Sequence, residues 1–150
     1  MKTRANLGLA FPLLTAALCL FAGGCQNTWD DTDIVWMNPN EVYKQLGDKT
    51  LVIDTRSKKD YDEGHVPDAR LVKLAEVDVQ DERPRFPGYK LIVVYGQNPG
   101  SSAAKAMVKR LLFTKHKNVR ALEGGFDQWM REELPVEISL PNPNNPPPTE

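Results

Sequence analysis

Leu91-Ile92-Val93-Val94-Tyr95-Gly96-Gln97-Asn98-Pro99-Gly100-Ser101-Ser102 is the stretch on which the fold turns. Its first five residues are continuously apolar, as in a parallel strand covered on both faces. Gly96 to Gly100 then breaks the pattern, and Pro99-Gly100 reads as a tight type II turn. From Ser101 to Phe113 the apolar residues Ala103, Ala104, Met107, Val108, Leu111 and Leu112 recur at helical spacing. A buried strand feeding a helix through a short loop is half of a parallel crossover unit.

The same alternation continues on both sides. Upstream, Ile34–Met37 reads as a short strand, and Asn38-Pro39 opens a helix that ends near Gly47, with Asn38 as cap. Leu51–Asp54 is a buried strand ending in a carboxylate, and Ser57–Glu63 is a short charged helix stopped by Gly64. Arg70–Leu74 reads as a further strand. Downstream come a strand at Val119–Leu122 and a last helix at Phe126–Glu132. The pattern predicts an α/β sheet with helices on both faces. Ligands of such sheets bind beyond the carboxyl ends of the strands, which here means Asp54 and the loop Gly96 to Ser102.

The chain has 150 residues, room for one domain. Its 19 basic and 20 acidic residues give a net charge of −1, so bulk charge does not direct it to nucleic acid. The only cysteines are Cys19 and Cys25. A disulfide scaffold, a cysteine zinc site and a thiol nucleophile are therefore excluded from the rest of the chain. The two histidines, His65 and His116, have no clustered carboxylates in sequence, so neither a metal nor another cofactor is expected.

The N-terminus reads as an address. Lys2 and Arg4 precede a charge-free run, Leu7–Phe21, shorter than the roughly 20 residues a spanning helix needs. Small residues Ala22-Gly23-Gly24 follow, then Cys25, the order of a secretory signal peptide over residues 1–24. The arrangement resembles a bacterial lipobox, although Ala22 stands where leucine is usual. That resemblance implies an acylated Cys25 holding the protein to membrane lipid, and so a place in the bacterial cell envelope. Gln26 rather than aspartate after Cys25 favours the outer membrane, facing the periplasm, in a host with two membranes. Simple secretion after cleavage at Gly24 is the alternative. Residues 25–33 read as a lipidated polar tether, 34–138 as the folded domain, and 139–150 as a disordered tail rich in proline and asparagine.

Three segments together resemble one family. They are Asp54-Thr55-Arg56 with Gly64-His65-Val66-Pro67-Asp68-Ala69, the strand–loop–helix from Leu91, and Leu122-Glu123-Gly124-Gly125-Phe126-Asp127-Gln128-Trp129. In this order they resemble a rhodanese (sulfurtransferase) domain. The resemblance implies a three-layer α/β/α fold with a five-stranded parallel sheet ordered 3-2-4-5-1. It also implies a loop that opens with a cysteine, which carries sulfur as a persulfide and is cradled by backbone N–H groups and a helix N-terminus. Here that loop is Gly96, Gln97, Asn98, Pro99, Gly100, Ser101 and Ser102. Gly96 stands where the cysteine belongs, Pro99 where a glycine is expected, and Ser101 where arginine is common. Pro99 also lacks a backbone donor.

The expectation is a rhodanese fold without sulfurtransferase activity, serving as a binding or accessory module. Its degenerate pocket is expected to take a small anion or a peptide, while no sequence motif identifies a protein partner. Asp54 and Arg56 read as a structural ion pair and His65 as a residue that packs a turn. Ser101 and Ser102 read as helix caps. His116, between Lys115 and Lys117, reads as a solvated turn, and Lys105, Lys109, Arg110, Lys115, Lys117 and Arg120 as a basic surface. Two alternatives use the same pocket: a hydrolase acting through Asp54 or a loop serine, and a sulfur carrier using an unacylated Cys25.

Overall fold

The computed structural model describes residues 29–77 and 86–139. The signal segment, Cys25 and residues 140–150 of the tail lie outside these. Five strands build one sheet: β1 (Trp36–Met37), β2 (Thr50–Asp54), β3 (Arg70–Leu71), β4 (Leu91–Tyr95) and β5 (Val119–Leu122). All pairings are parallel and the order is β1-β5-β4-β2-β3. Among the described residues the α-helices are α1 (Pro39–Lys44), α2 (Lys58–Glu63), α3 (Ser102–Phe113) and α4 (Gly125–Arg131).

Alternation along the two central strands divides the core. Leu51 and Ile53 of β2 join Ile92 and Val94 of β4 in a cluster with Met107, Val108 and Leu111 of α3. Val52, Val93 and Tyr95 point the other way, into a cluster with Val42 of α1 and with Phe126 and Trp129 of α4. A two-residue side-chain period thus buries β2 and β4 on both faces and gives the three-layer architecture.

The helix starts follow side-chain caps. Asn38 accepts from the Asn40 amide at 2.9 Å, Ser57 from Asp60 at 3.1 Å, and Ser101 from Ala104 at 3.3 Å. These bonds satisfy first-turn donors that the helices cannot satisfy themselves.

Several expectations change. The strand foreseen at Arg70–Leu74 stops at Leu71, and a 3-10 turn takes Leu74–Glu76. Pairing stops there because β2 itself ends at Asp54, the register partner of Leu71. The turn at Pro99-Gly100 closes with a Ser101 N–H to Asn98 O bond of 3.1 Å, but Gly100 lacks the positive φ of a type II turn. The Asn98 side chain takes the Gly100 amide at 3.0 Å instead.

His116 is buried, not solvated, at 6% exposure. Its Nδ1 lies 3.2 Å from the Leu111 carbonyl and 3.0 Å from Thr114 Oγ1, and its Nε2 accepts from the Phe86 amide at 3.3 Å. The charged neighbours hid this, because Lys115 turns away with φ +64°.

Order also begins before Ile34. Asp31–Asp33 form a 3-10 turn, and Asp31 binds Lys105 Nζ at 3.0 Å and Lys109 Nζ at 2.9 Å on α3. Two of the basic-surface residues are therefore paired. Arg110 and Arg120 donate to the Val77 and Val119 carbonyls, each at 2.9 Å.

Candidate functional site

The carboxyl ends of β2 and β4 lie side by side, with Asp54 the register partner of Tyr95. At this edge Asp54 and Arg56 form a closed unit. Asp54 accepts from the Arg56 amide at 2.8 Å, from Nε at 3.0 Å and from Nη2 at 2.8 Å. The guanidinium also reaches the Gly64 carbonyl at 2.5 Å and Gln97 Oε1 at 3.2 Å. It sits 3.8 Å from the centre of the Phe126 ring and 5.5 Å from that of Tyr95. The two side chains are 0% and 4% exposed.

Burial works against the Arg56 charge, but the bond to Asp54 and its negative charge outweigh it and hold the pKa above the usual value. Burial, followed by the Asp54 charge, pushes the Tyr95 phenol up. Tyr95 thus stays a neutral hydroxyl, accepting the Val66 amide at 3.2 Å.

His65 lies just beyond this unit. Its Nδ1 donates to the Tyr61 carbonyl at 2.8 Å, since a carbonyl can only accept, and its ring stacks on Tyr61 at 3.9 Å. Nε2 lies 3.7 Å from Glu137 Oε2. The His65 and Glu137 backbones exchange bonds of 2.8 Å in both directions, fastening the segment after α4 to the start of the Gly64–Ala69 turn.

The loop Gly96 to Ser102 is held from two sides. Its carbonyls face α4: Gly96 O accepts from Phe126 and Gln97 O from Asp127, both at 2.9 Å. The approach is so close that a Cβ on Gly125 would stand 2.7 Å from Gly96 O and 2.9 Å from Asn98 N. Gly125 also has φ +65°, so glycine is required there on two grounds. The Gln97 side chain spans the gap, donating to Asp127 Oδ1 at 2.6 Å while it accepts from Arg56.

On its other side the loop meets its own helix. A Cβ built on Gly96 would stand 2.0 Å from Ser101 Oγ and 2.4 Å from Ser101 Cβ. The Ser101 side chain thus fills the space a larger residue at position 96 would need. Its Oγ also takes the Ala104 amide, while Asn98 takes the Gly100 and Ser101 amides. These are donors that an anion at the start of α3 would call on.

Beside Arg56 and Gln97, a cleft of about 290 Å³ opens between α2 and α4. Gly64, Phe126, Met130 and Val136 line it together with the carboxylate residues Asp60 and Glu63. Phe126, part of the Leu122–Trp129 motif, serves both as the platform for Arg56 and as cleft wall. The sequence reading did not single out Asp60, Glu63, Met130 or Val136. The signal available was the spacing of Asp60 and Glu63, three residues apart on one helix and therefore on one face.

The comparisons with known proteins agree with this geometry. A family model described as the Rhodanese-like domain matches residues 38–132. No curated protein sequence matches the chain. Among solved structures, a thiosulfate sulfurtransferase from Pseudomonas aeruginosa is similar with a TM-score of 0.61 and 23% identity, over 71% of this chain and 20% of that one. A Bacillus halodurans protein gives a TM-score of 0.59 and 19% identity over 70% and 77% of the two chains. The 3-mercaptopyruvate sulfotransferase SseA of Escherichia coli gives 0.55 and 18% over 71% and 52%. At such identities these likenesses are of fold. The family match, covering well over half the chain, together with a five-stranded parallel sheet between two helical layers, makes this protein a member of the rhodanese-like domain family.

Proposed function

We propose that the protein is a rhodanese-like domain without sulfurtransferase activity, held at the bacterial envelope through an acylated Cys25 and acting as a binding module. One observation carries the loss of activity: the space at position 96 is filled by Ser101. A sulfur carrier there would have no room, and Gly96 offers no side chain. The chemistry left at the sheet edge is also committed. Asp54 is buried and bonded three ways to Arg56, which suits a framework and not a nucleophile. Ser101 Oγ caps α3, and neither His65 nor His116 is hydrogen-bonded to it. Of the two occupants foreseen for the pocket, the capped loop favours a peptide over a small anion.

The test is a thiosulfate–cyanide assay on the full chain purified in non-ionic detergent. The expected rate equals the enzyme-free blank; turnover at the level of a cysteine-bearing relative assayed in parallel would overturn the reading. Mass spectrometry of the processed N-terminus checks the anchor. A diacyl- or triacyl-cysteine at position 25 is expected, whereas a free thiol or a start at another residue would remove it. Membrane fractionation then tests the outer-membrane placement.

A further inference from the structure

The cleft between α2 and α4 has a chemistry opposite to that of an anion pocket. Its one cation, Arg56, is neutralised by Asp54 and has its donors turned toward Asp54, Gly64 and Gln97. The charges left at its mouth are the carboxylates of Asp60 and Glu63. The Ser57 hydroxyl donates to Asp60 at 2.5 Å and holds its carboxyl below the ordinary value, so Asp60 is ionised at neutral pH. Glu63 has only a loose, exposed pair with Lys59 at 3.9 Å. One wall is apolar, made of Phe126 with Met130 and Val136 at 49% and 37% exposure.

We propose that this cleft docks a lysine or arginine side chain presented by an extended segment of a partner protein. The aliphatic stem would lie along Met130 and Val136, and the cationic head would reach Asp60 and Glu63. Long cationic side chains bury their stems on apolar surface in this way while keeping the head on charge and water. The volume, about 290 Å³, suits one such side chain and not a folded element. The chain's own tail does not supply the occupant, since residues 140–150 contain no basic residue. The proposal deepens the binding-module reading and rests on it.

The test follows methyl resonances of the full chain, labelled at methionine, in non-ionic micelles. The probe is the peptide acetyl-Ala-Leu-Lys-Leu-Ala-amide, and its counterpart carries Glu in place of Lys. The lysine peptide is expected to shift Met130 saturably and to leave buried Met107 unmoved. Asp60→Asn/Glu63→Gln should weaken binding about fivefold, the scale of one or two exposed charge pairs. Both replaced side chains are on the surface, and unchanged Met107 dispersion verifies the fold. Equal shifts from the glutamate peptide, no loss in the double variant, or a silent Met130 would each overturn the docking site. Turnover in the thiosulfate assay would overturn the inactive reading alone, so the two failures are distinguishable.

Discussion

Gly96 and Ser101 compete for one volume, and that competition predicts how each tolerates change. Gly96→Cys forces its Cβ onto Ser101 Cβ as well as Oγ, so rotating the hydroxyl does not relieve the clash. Overpacking of this kind costs about 1–3 kcal/mol. Adding Ser101→Gly removes the obstacle and costs only a few tenths of a kcal/mol as a cap. Urea unfolding should therefore show Gly96→Cys destabilised and the double variant recovered to within about 1 kcal/mol of the parent. The Asp54–Arg56 pair gives a second prediction. Asp54→Asn leaves a buried guanidinium without its counter-charge, a loss of about 3–5 kcal/mol by the same measurement. Arg56→Lys should not rescue function as a framework, because an ammonium cannot make the planar fork to Asp54 while stacking on Phe126.

At the scale of elements, the end of α3 carries a pH dependence. Burial lowers the His116 pKa below 6.5, against the smaller opposing effect of the Leu111 carbonyl. Protonation would also put a hydrogen on Nε2, where the Phe86 amide already donates. The unfolded chain therefore takes up a proton near pH 6.5 that the folded chain resists. This contribution to stability is complete above pH 6.5 and is lost as the pH falls through that value toward the lower folded pKa. Urea midpoints between pH 7.5 and 5 should drop, and His116→Gln should flatten the slope.

The same element shows the limits of what the sequence made legible. The strand, loop and helix from Leu91 to Phe113 were readable because continuous apolar burial and a 3.6-residue period are local signals. The burial of His116 was not, because its partners include Phe86, thirty residues away. The placement of the candidate loop was legible from the end of β4, whereas its filling by Ser101 depends on a backbone fold that residue spacing does not encode. The third strand was read too long because its true limit is set by the length of its neighbour β2.

For the whole molecule, the two helical faces differ in charge and in attachment. Asp31 fastens the entering chain to Lys105 and Lys109 of α3, on one face of the sheet, while the cleft belongs to α2 and α4 on the other. Asp31→Asn should leave the fold intact but loosen this entry. Hydrogen exchange at Thr32 and Ile34 should quicken, with the amides of β2 and β4 unchanged.

Combined with the proposed anchor, that clamp would also govern orientation. Were Cys25 set in a bilayer as proposed, the six residues from it to the Asp31 clamp would let the body stand no more than about 21 Å off the surface at full stretch. A leash of that length, fixed at Asp31 to α3 and not swinging from a free end, would restrict how the body rolls. On the proposed anchor, the α3 side would be kept toward the lipid and the cleft toward the aqueous layer. A visitor to Asp60 and Glu63 would then approach from the open compartment and not along the membrane.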